Sequence, residues 1–256
     1  MPIHPAQLTP AQLTEFERDG AVVVRGYFSA EEIARAGAAI DALAARPPRV
    51  GHEMVYWESS VTDPAKKVLQ RIEKFVEEDP VLQTLICSRG LAEMSAQLLG
   101  APALLFKEKI NFKMPGGQGF VPHQDIQPGW DDYAPYFISV LVTIDPSTEA
   151  NGCLELAAGH HKRGWIGERM KPLTPEQLRG VEFVKVPTAP GDLIFFDCFA
   201  PHQSAPNLTD RPRRNLYLTY NRADQGDYRA RYFADKRAAF PPDFERLPGS
   251  DYSYKV

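Results

Sequence analysis

His123-Gln124-Asp125 sets an imidazole and a carboxylate two residues apart. On extended backbone, residues i and i+2 project from the same face, so both side chains can reach one cation. One further histidine would complete a two-histidine, one-carboxylate facial triad, an Fe(II) donor set that leaves three coordination positions open. H-x-D alone is common on polar surfaces, so the third donor is decisive. The other histidines are His4, His52, His160, His161 and His202. His4 sits in the terminal stretch, and His52 precedes the strand-rich region. His160 and His161 lie in a loop bounded by Gly159 and Gly164. His202 is best placed, because it follows the turn Pro190-Gly191-Asp192 and an apolar run that ends at Asp197.

Arg213 stands eleven residues beyond His202, at the start of a further strand. Its parity reads Arg213, Asn215, Tyr217, Thr219, whereas Arg214 shares its parity with Leu216, Leu218 and Tyr220. The leucine face should pack on a helical shell, which turns Arg213 toward the metal side. A guanidinium there offers a bidentate fork for a carboxylate. A buried arginine without a partner is costly, so this position implies an anionic ligand. In Leu104–Lys113 one parity is Leu104, Phe106, Glu108, Ile110, Phe112, and the other is Leu105, Lys107, Lys109, Asn111, Lys113. The lysine face is either solvated or turned toward the same site.

Strands must bring these residues together. After residue 102 the apolar period changes from 3.6 to 2, with strands expected at 103–113, 136–144, 152–156, 181–186, 192–197 and 215–220. Pro115-Gly116-Gly117, Asn151-Gly152 and Pro190-Gly191-Asp192 supply turns. The first hundred residues read mostly as helices, with a short strand at 21–24. Helix starts stand at Thr9-Pro10, Ser29-Ala30-Glu31-Glu32, Asp63-Pro64 and Asp79-Pro80, and a later one at Thr174-Pro175-Glu176-Gln177. Gly100 closes a helix that begins near Gly90. The expected architecture is α+β, mainly β: a double-stranded β-helix (jelly-roll, cupin-like) core over 102–221, with a helical layer over 1–101 and a tail over 222–256 packed on the core. All 256 residues would form one domain. The segments 51–62 and 115–122 read as turn-rich loops that would close over the site.

Composition narrows the classes. The net charge of −4 and pI of about 5.9 do not suit a nucleic-acid binder. With 23 prolines, about 9% against a usual ~5%, long coiled coils are disfavoured. No uncharged apolar run approaches the ~20 residues that span a bilayer. Cys87, Cys153 and Cys198 are far apart and form no C-x-x-C pair, which fits reduced, mostly buried thiols in a cytoplasmic protein. G-x-S-x-G, P-loop and G-x-G-x-x-G motifs are missing.

Over nearly its whole length the sequence resembles the phytanoyl-CoA dioxygenase family of Fe(II)/2-oxoglutarate oxygenases. The resemblance rests on Phe16-Glu17-Arg18-Asp19-Gly20, His123-Gln124-Asp125 and the stretch from Asn151-Gly152-Cys153-Leu154 to Gly159-His160-His161-Lys162. It continues through Pro190-Gly191-Asp192, His202 and Arg213, in order and spacing. Ala157-Ala158-Gly159-His160 departs from the family's usual Pro-Gly-Ser-His turn. The resemblance implies that His123, Asp125 and His202 bind Fe(II) and that Arg213 grips the distal carboxylate of 2-oxoglutarate. Ser204 would assist, Asn111 would contact the co-substrate, and Lys109 is a looser match to the same role. It further implies hydroxylation of a small organic molecule with dioxygen, releasing succinate and CO2. Because Asp125 fills the carboxylate position, hydroxylation is expected rather than halogenation. Lys107, Gln124, Trp130 and Tyr136 are candidate contacts for a substrate expected to be anionic. Tyr133 and the tail cations Arg222, Arg229, Arg231, Lys236 and Arg237 are further possibilities for it. The alternatives are a catalytically silent jelly-roll binding protein and a Zn or Mn hydrolase that uses the same triad.

Overall fold

The structure is a computed structural model that describes residues 6–250 and 252, so His4 lies outside the described residues. Helix α1 (Pro10–Asp19) opens with a capping box in which Thr9 and Gln12 satisfy each other's backbone N–H groups. Strand β1 (Ala21–Val24) and helix α2 (Ala30–Ala44) follow, the latter capped in the same way by Ser29 and Glu32. Next come β2 (Met54–Ser59), β3 (Lys67–Glu73), α3 (Pro80–Ile86) and α4 (Arg89–Leu99). The strand-rich part holds β4 (Ala103–Lys113), β5 (Phe120–His123), β6 (Ile138–Thr143), β7 (Leu154–Leu156) and β8 (Val184–Val186). It ends with β9 (Leu193–Asp197), β10 (His202–Ser204) and β11 (Arg213–Arg222), and α5 (Arg229–Ala239) lies in the tail.

These strands form the two sheets of a jelly roll. The larger has seven strands in the order β1-β9-β6-β11-β4-β3-β2, and the smaller has four, β5-β10-β7-β8. Alternation decides what each face buries. On β11, Leu216, Leu218 and Tyr220 join Ile33, Ile40, Leu82 and Ile86 of the helices in one apolar cluster. On β9, Leu193 and Phe195 face those helices, while Ile194 and Phe196 pack between the sheets with Leu154 and Leu156 of β7. A third cluster, which includes Phe106, Trp130 and Phe137, is closed by Tyr232 and Phe233 of α5. Each fully buried Leu, Ile or Phe contributes about 1.5–3 kcal/mol, so both faces of the large sheet are anchored.

Several expectations are corrected. No helix follows Asp63-Pro64; a turn there leads into β3, because Lys67–Glu73 pairs with β2 and, from Arg71 to Glu73, with β4. Residues 54–59 are likewise a strand and not a lid loop, with Met54, Val55 and Tyr56 buried. The first hundred residues thus supply three strands of the large sheet as well as helices. The Thr174–Gln177 capping contacts form, yet the segment makes turns only. In β4 the parity reading fails at one end: Thr219 pairs with Lys107 but Tyr220 with Leu105, a bulge that skips Phe106. Leu105 therefore packs against the helical cluster and Phe106 joins the aromatic one. The three cysteines are free; Cys153 and Cys198 are buried and Cys87 is exposed. No helix among the described residues is long and apolar enough to cross a membrane.

Candidate metal centre and co-substrate pocket

The convergence of the histidines follows from strand pairing. β5 and β10 are antiparallel neighbours, and His123 and His202 are register partners. Their rings lie 4.2 Å apart between centroids. Asp125 sits in the turn just after β5, and its Oδ1 is 3.7 Å from His202 Nε2. Ser139 of β6 donates to Asp125 Oδ2 at 2.5 Å, so the large sheet fixes a carboxylate carried by the small one. One donor atom from each of the three residues lies within 4.8 Å of the others.

The donor chemistry fits a divalent metal. His123 Nδ1 lies 2.8 Å from the Val121 carbonyl and His202 Nδ1 lies 3.0 Å from the Ala200 carbonyl. A carbonyl only accepts, which places the proton on Nδ1 and leaves each Nε2 lone pair for a metal. Burial, then the neighbouring His202, pushes His123 down to about 3, and burial also lowers His202. Burial would raise Asp125, but His202, Lys109 and His123 hold it below the usual carboxylate range. Two neutral imidazoles and one carboxylate are the protonation states that coordination requires.

A pocket opens beside the triad. Lys109, Asn111, Phe120, Ser204 and Tyr217 line it together with the triad. Arg213 is outside that lining; it is buried at 2% exposure and hydrogen-bonded to Tyr217, which is part of it. Its Nη2 donates to the Gly152 carbonyl at 3.1 Å, and its Nη1 reaches the Asn215 side-chain oxygen at 2.6 Å. Its Nε has no partner, and among the described residues no carboxylate pairs with it. This unmatched buried cation fits the carboxylate of a co-substrate. Arg214 points the other way, onto Asp41 and Asp145.

The remaining candidates divide. Lys109 Nζ sits 5.0 Å from the Tyr217 ring centre, and burial, then Lys107, lowers it to about 8. Lys107 lies over Trp130 at 4.8 Å and Tyr232 at 5.2 Å, in the aromatic cluster and outside the pocket lining. Gln124 is placed elsewhere. Its amide nitrogen donates to the Gly164 and Phe199 carbonyls and its oxygen accepts from Ile166 N–H, so it ties loops together. Tyr136 is also outside the lining, and its hydroxyl donates to Asp197 at 2.7 Å. The tail cations are paired with carboxylates: Arg222 with Asp224, Arg229 with Glu108 and Glu77, Arg231 with Asp235, Lys236 with Glu73 and Arg237 with Glu245. Sequence reasoning missed Ser139, the hydroxyl that holds Asp125, and Lys113, whose Nζ lies 2.7 Å from Ser204 Oγ. Ser139 shares its parity on β6 with Leu141 and Thr143, the face away from the helices, and Lys113 stands on the lysine face of β4.

Comparison with known proteins agrees with this geometry. The sequence profile of the family described as phytanoyl-CoA dioxygenase (PhyH) matches residues 16–215. A 2-aminoethylphosphonate dioxygenase from an uncultured bacterium is 39% identical over 205 residues, 79% of this chain and 78% of that protein. A methylphosphonate hydroxylase from Gimesia maris is 33% identical over 234 residues, 91% of this chain and 88% of that protein. The crystal structure of EctD from S. alaskensis with 2-oxoglutarate and 5-hydroxyectoine superposes with a TM-score of 0.74 at 27% identity, covering 88% of this chain and 79% of that one. Fold and site therefore define a non-haem Fe(II)- and 2-oxoglutarate-dependent dioxygenase. The chain belongs to the phytanoyl-CoA dioxygenase family.

Proposed function

We propose that this dioxygenase hydroxylates a small organophosphonate. In this reading His123, Asp125 and His202 hold Fe(II), while Arg213 with Ser204 anchors the distal carboxylate of 2-oxoglutarate. Asn111 and Lys109 line the pocket beside the triad, and Lys109 offers a cation there. The observation that carries the metal and co-substrate roles is the triad at a pocket lined by Tyr217, behind which the buried Arg213 lacks an anion. The phosphonate reading is supported by two relatives named for phosphonate oxidation and by Lys109, a cation in the pocket lining. Family membership sets aside the hydrolase and silent-binder alternatives.

Bound at this site, Fe(II) and 2-oxoglutarate would supply the oxidising chemistry with dioxygen, whose products are succinate, CO2 and the hydroxylated substrate. The chain's own residues prepare that event. Ser139 and the Val121 and Ala200 carbonyls hold the three donors in one orientation. The cations at the pocket attract and orient anions, and burial keeps bulk water away from the donors.

The test is substrate-stimulated succinate formation with Fe(II), 2-oxoglutarate and dioxygen. 2-Aminoethylphosphonate, methylphosphonate, matched carboxylates and ectoine should be offered in turn. Stimulation by a phosphonate above its carboxylate analogue is expected. Stimulation by carboxylates or ectoine alone would overturn the substrate assignment.

A further inference from the structure

Lys113 ends β4 at 1% exposure, among the most buried cations of the described residues. Its Nζ lies 2.7 Å from Ser204 Oγ and 3.1 Å from the Gly152 carbonyl oxygen, and it also reaches the Ala205 carbonyl. Arg213 is its register partner on β11 and donates to the same Gly152 carbonyl at 3.1 Å. Two buried cations therefore meet on one neutral oxygen, and among the described residues neither forms an ion pair. The backbone is shaped for this meeting. Gly152 has φ 73, and a Cβ there would lie 2.7 Å from Lys113 Nζ and 2.0 Å from the Ala205 oxygen. Adjacent positive charges away from water are mutually destabilising unless an anion joins them or one gives up its proton.

We propose that Lys113 is a positioning residue for the distal carboxylate of 2-oxoglutarate: it holds the Ser204 oxygen so that the hydroxyl hydrogen faces the anion, and it takes up a proton from solvent as that anion binds beside Arg213. This rests on the co-substrate site proposed above. The charged and titratable groups that face Lys113 are Arg213 from β11, Glu58 from β2, and Cys153 and Glu155 at β7. Burial, then Arg213, pushes it down to about 6, against the upward pull of Glu58, Cys153 and Glu155. Near pH 7.5 the free protein thus carries mostly the amine, whose two N–H groups serve the Gly152 and Ala205 carbonyls while its lone pair accepts from the Ser204 hydroxyl. An arriving carboxylate favours the ammonium, so protons bind with the co-substrate and affinity falls as pH rises through the Lys113 pKa of the complex.

Calorimetry tests this with the full chain loaded with Mn(II), titrated with 2-oxoglutarate at pH 7.5 in two buffers of different ionisation heat. Wild type should take up close to about one proton per molecule bound. Lys113→Met should take up none and bind roughly tenfold or more weakly, the scale of one lost charge-assisted contact. Because Lys113 acts through Ser204, adding Ser204→Ala to Lys113→Met should weaken binding less than Ser204→Ala does in wild type. Buffer-independent heats in wild type would overturn the proposal, and that measurement needs no variant. Proton uptake retained in Lys113→Met would do the same. If 2-oxoglutarate fails to bind wild type at all, the co-substrate site itself is wrong; tight, buffer-independent binding sinks only the role of Lys113.

Discussion

Replacing Arg213 and Arg214 one at a time separates two neighbours that the strand sends to opposite faces. Arg213 is buried without an ion-pair partner, so in Arg213→Ala the loss of an uncompensated charge should offset part of the cost of the cavity left behind, and the thermal midpoint of the ligand-free protein should fall less than for a buried apolar side chain of that size. The same change removes the fork assigned to the 2-oxoglutarate carboxylate. Truncating one partner of a buried, hydrogen-bonded charge pair costs about 2–5 kcal/mol, or roughly 30- to several-thousand-fold in affinity. Lysine keeps the charge and loses the fork, so Arg213→Lys should fall between. Arg214 is the mirror case. Its Nε and Nη2 donate to Asp145 at 2.8 and 2.9 Å, and its Nη1 donates to Asp41 at 2.5 Å. These groups are partly exposed, so Arg214→Ala should cost about 1–2 kcal/mol after discounting for solvent. That corresponds to a fall of roughly 2–8 °C in Tm, with 2-oxoglutarate affinity unchanged. Titration calorimetry on the Mn(II)-loaded protein reads affinity, and thermal denaturation without ligand reads stability. A reversed ranking, with Arg214→Ala losing the co-substrate and Arg213→Ala only the stability, would refute the face assignment of β11.

Two further outcomes follow from the same geometry. Ser139→Ala removes the hydroxyl that fixes Asp125 while leaving all three donors, so metal affinity measured by competition with a chelator should drop about 10- to 100-fold; an unchanged affinity would show that Asp125 needs no such support. On the acid side, burial would raise Asp192, but the N–H groups of Gly26 and Ala189 and the Arg25 guanidinium hold it below its ordinary value. A lowered folded-state pKa gives stability that is present above the unfolded value near ~3.9 and lost as pH falls through the folded one. Asp192→Asn should therefore lower Tm at pH 7 and flatten its decline in acid, and an acid limb as steep as in wild type would count against this role.

How much of this was legible in the sequence depended on whether chemistry or pairing decided each element. The strand at 103–113 and the two faces of β11 were readable because one face had to be apolar, and a one-residue slip would have buried Arg214 and exposed the leucines. His202 was readable as the strand-borne histidine after an apolar run, although its register opposite His123 was not, since pairing partners leave no local mark. β2 and β3 were missed for a related reason. Asp63-Pro64 carries helix-start chemistry, but Pro64 and its neighbours stay a turn because the following residues gain more by extending the large sheet along β4. Gln124 shows the limit from the other side. A polar residue between two metal-ligand candidates reads as a substrate contact, yet the i, i+2 alternation that sends His123 and Asp125 to one face sends Gln124 to the other. There its amide serves Gly164, Ile166 and Phe199, and so holds the loop that leads from β9 back to His202 against the turn carrying Asp125. The parity that identified the triad thus also assigns the intervening glutamine to the scaffold.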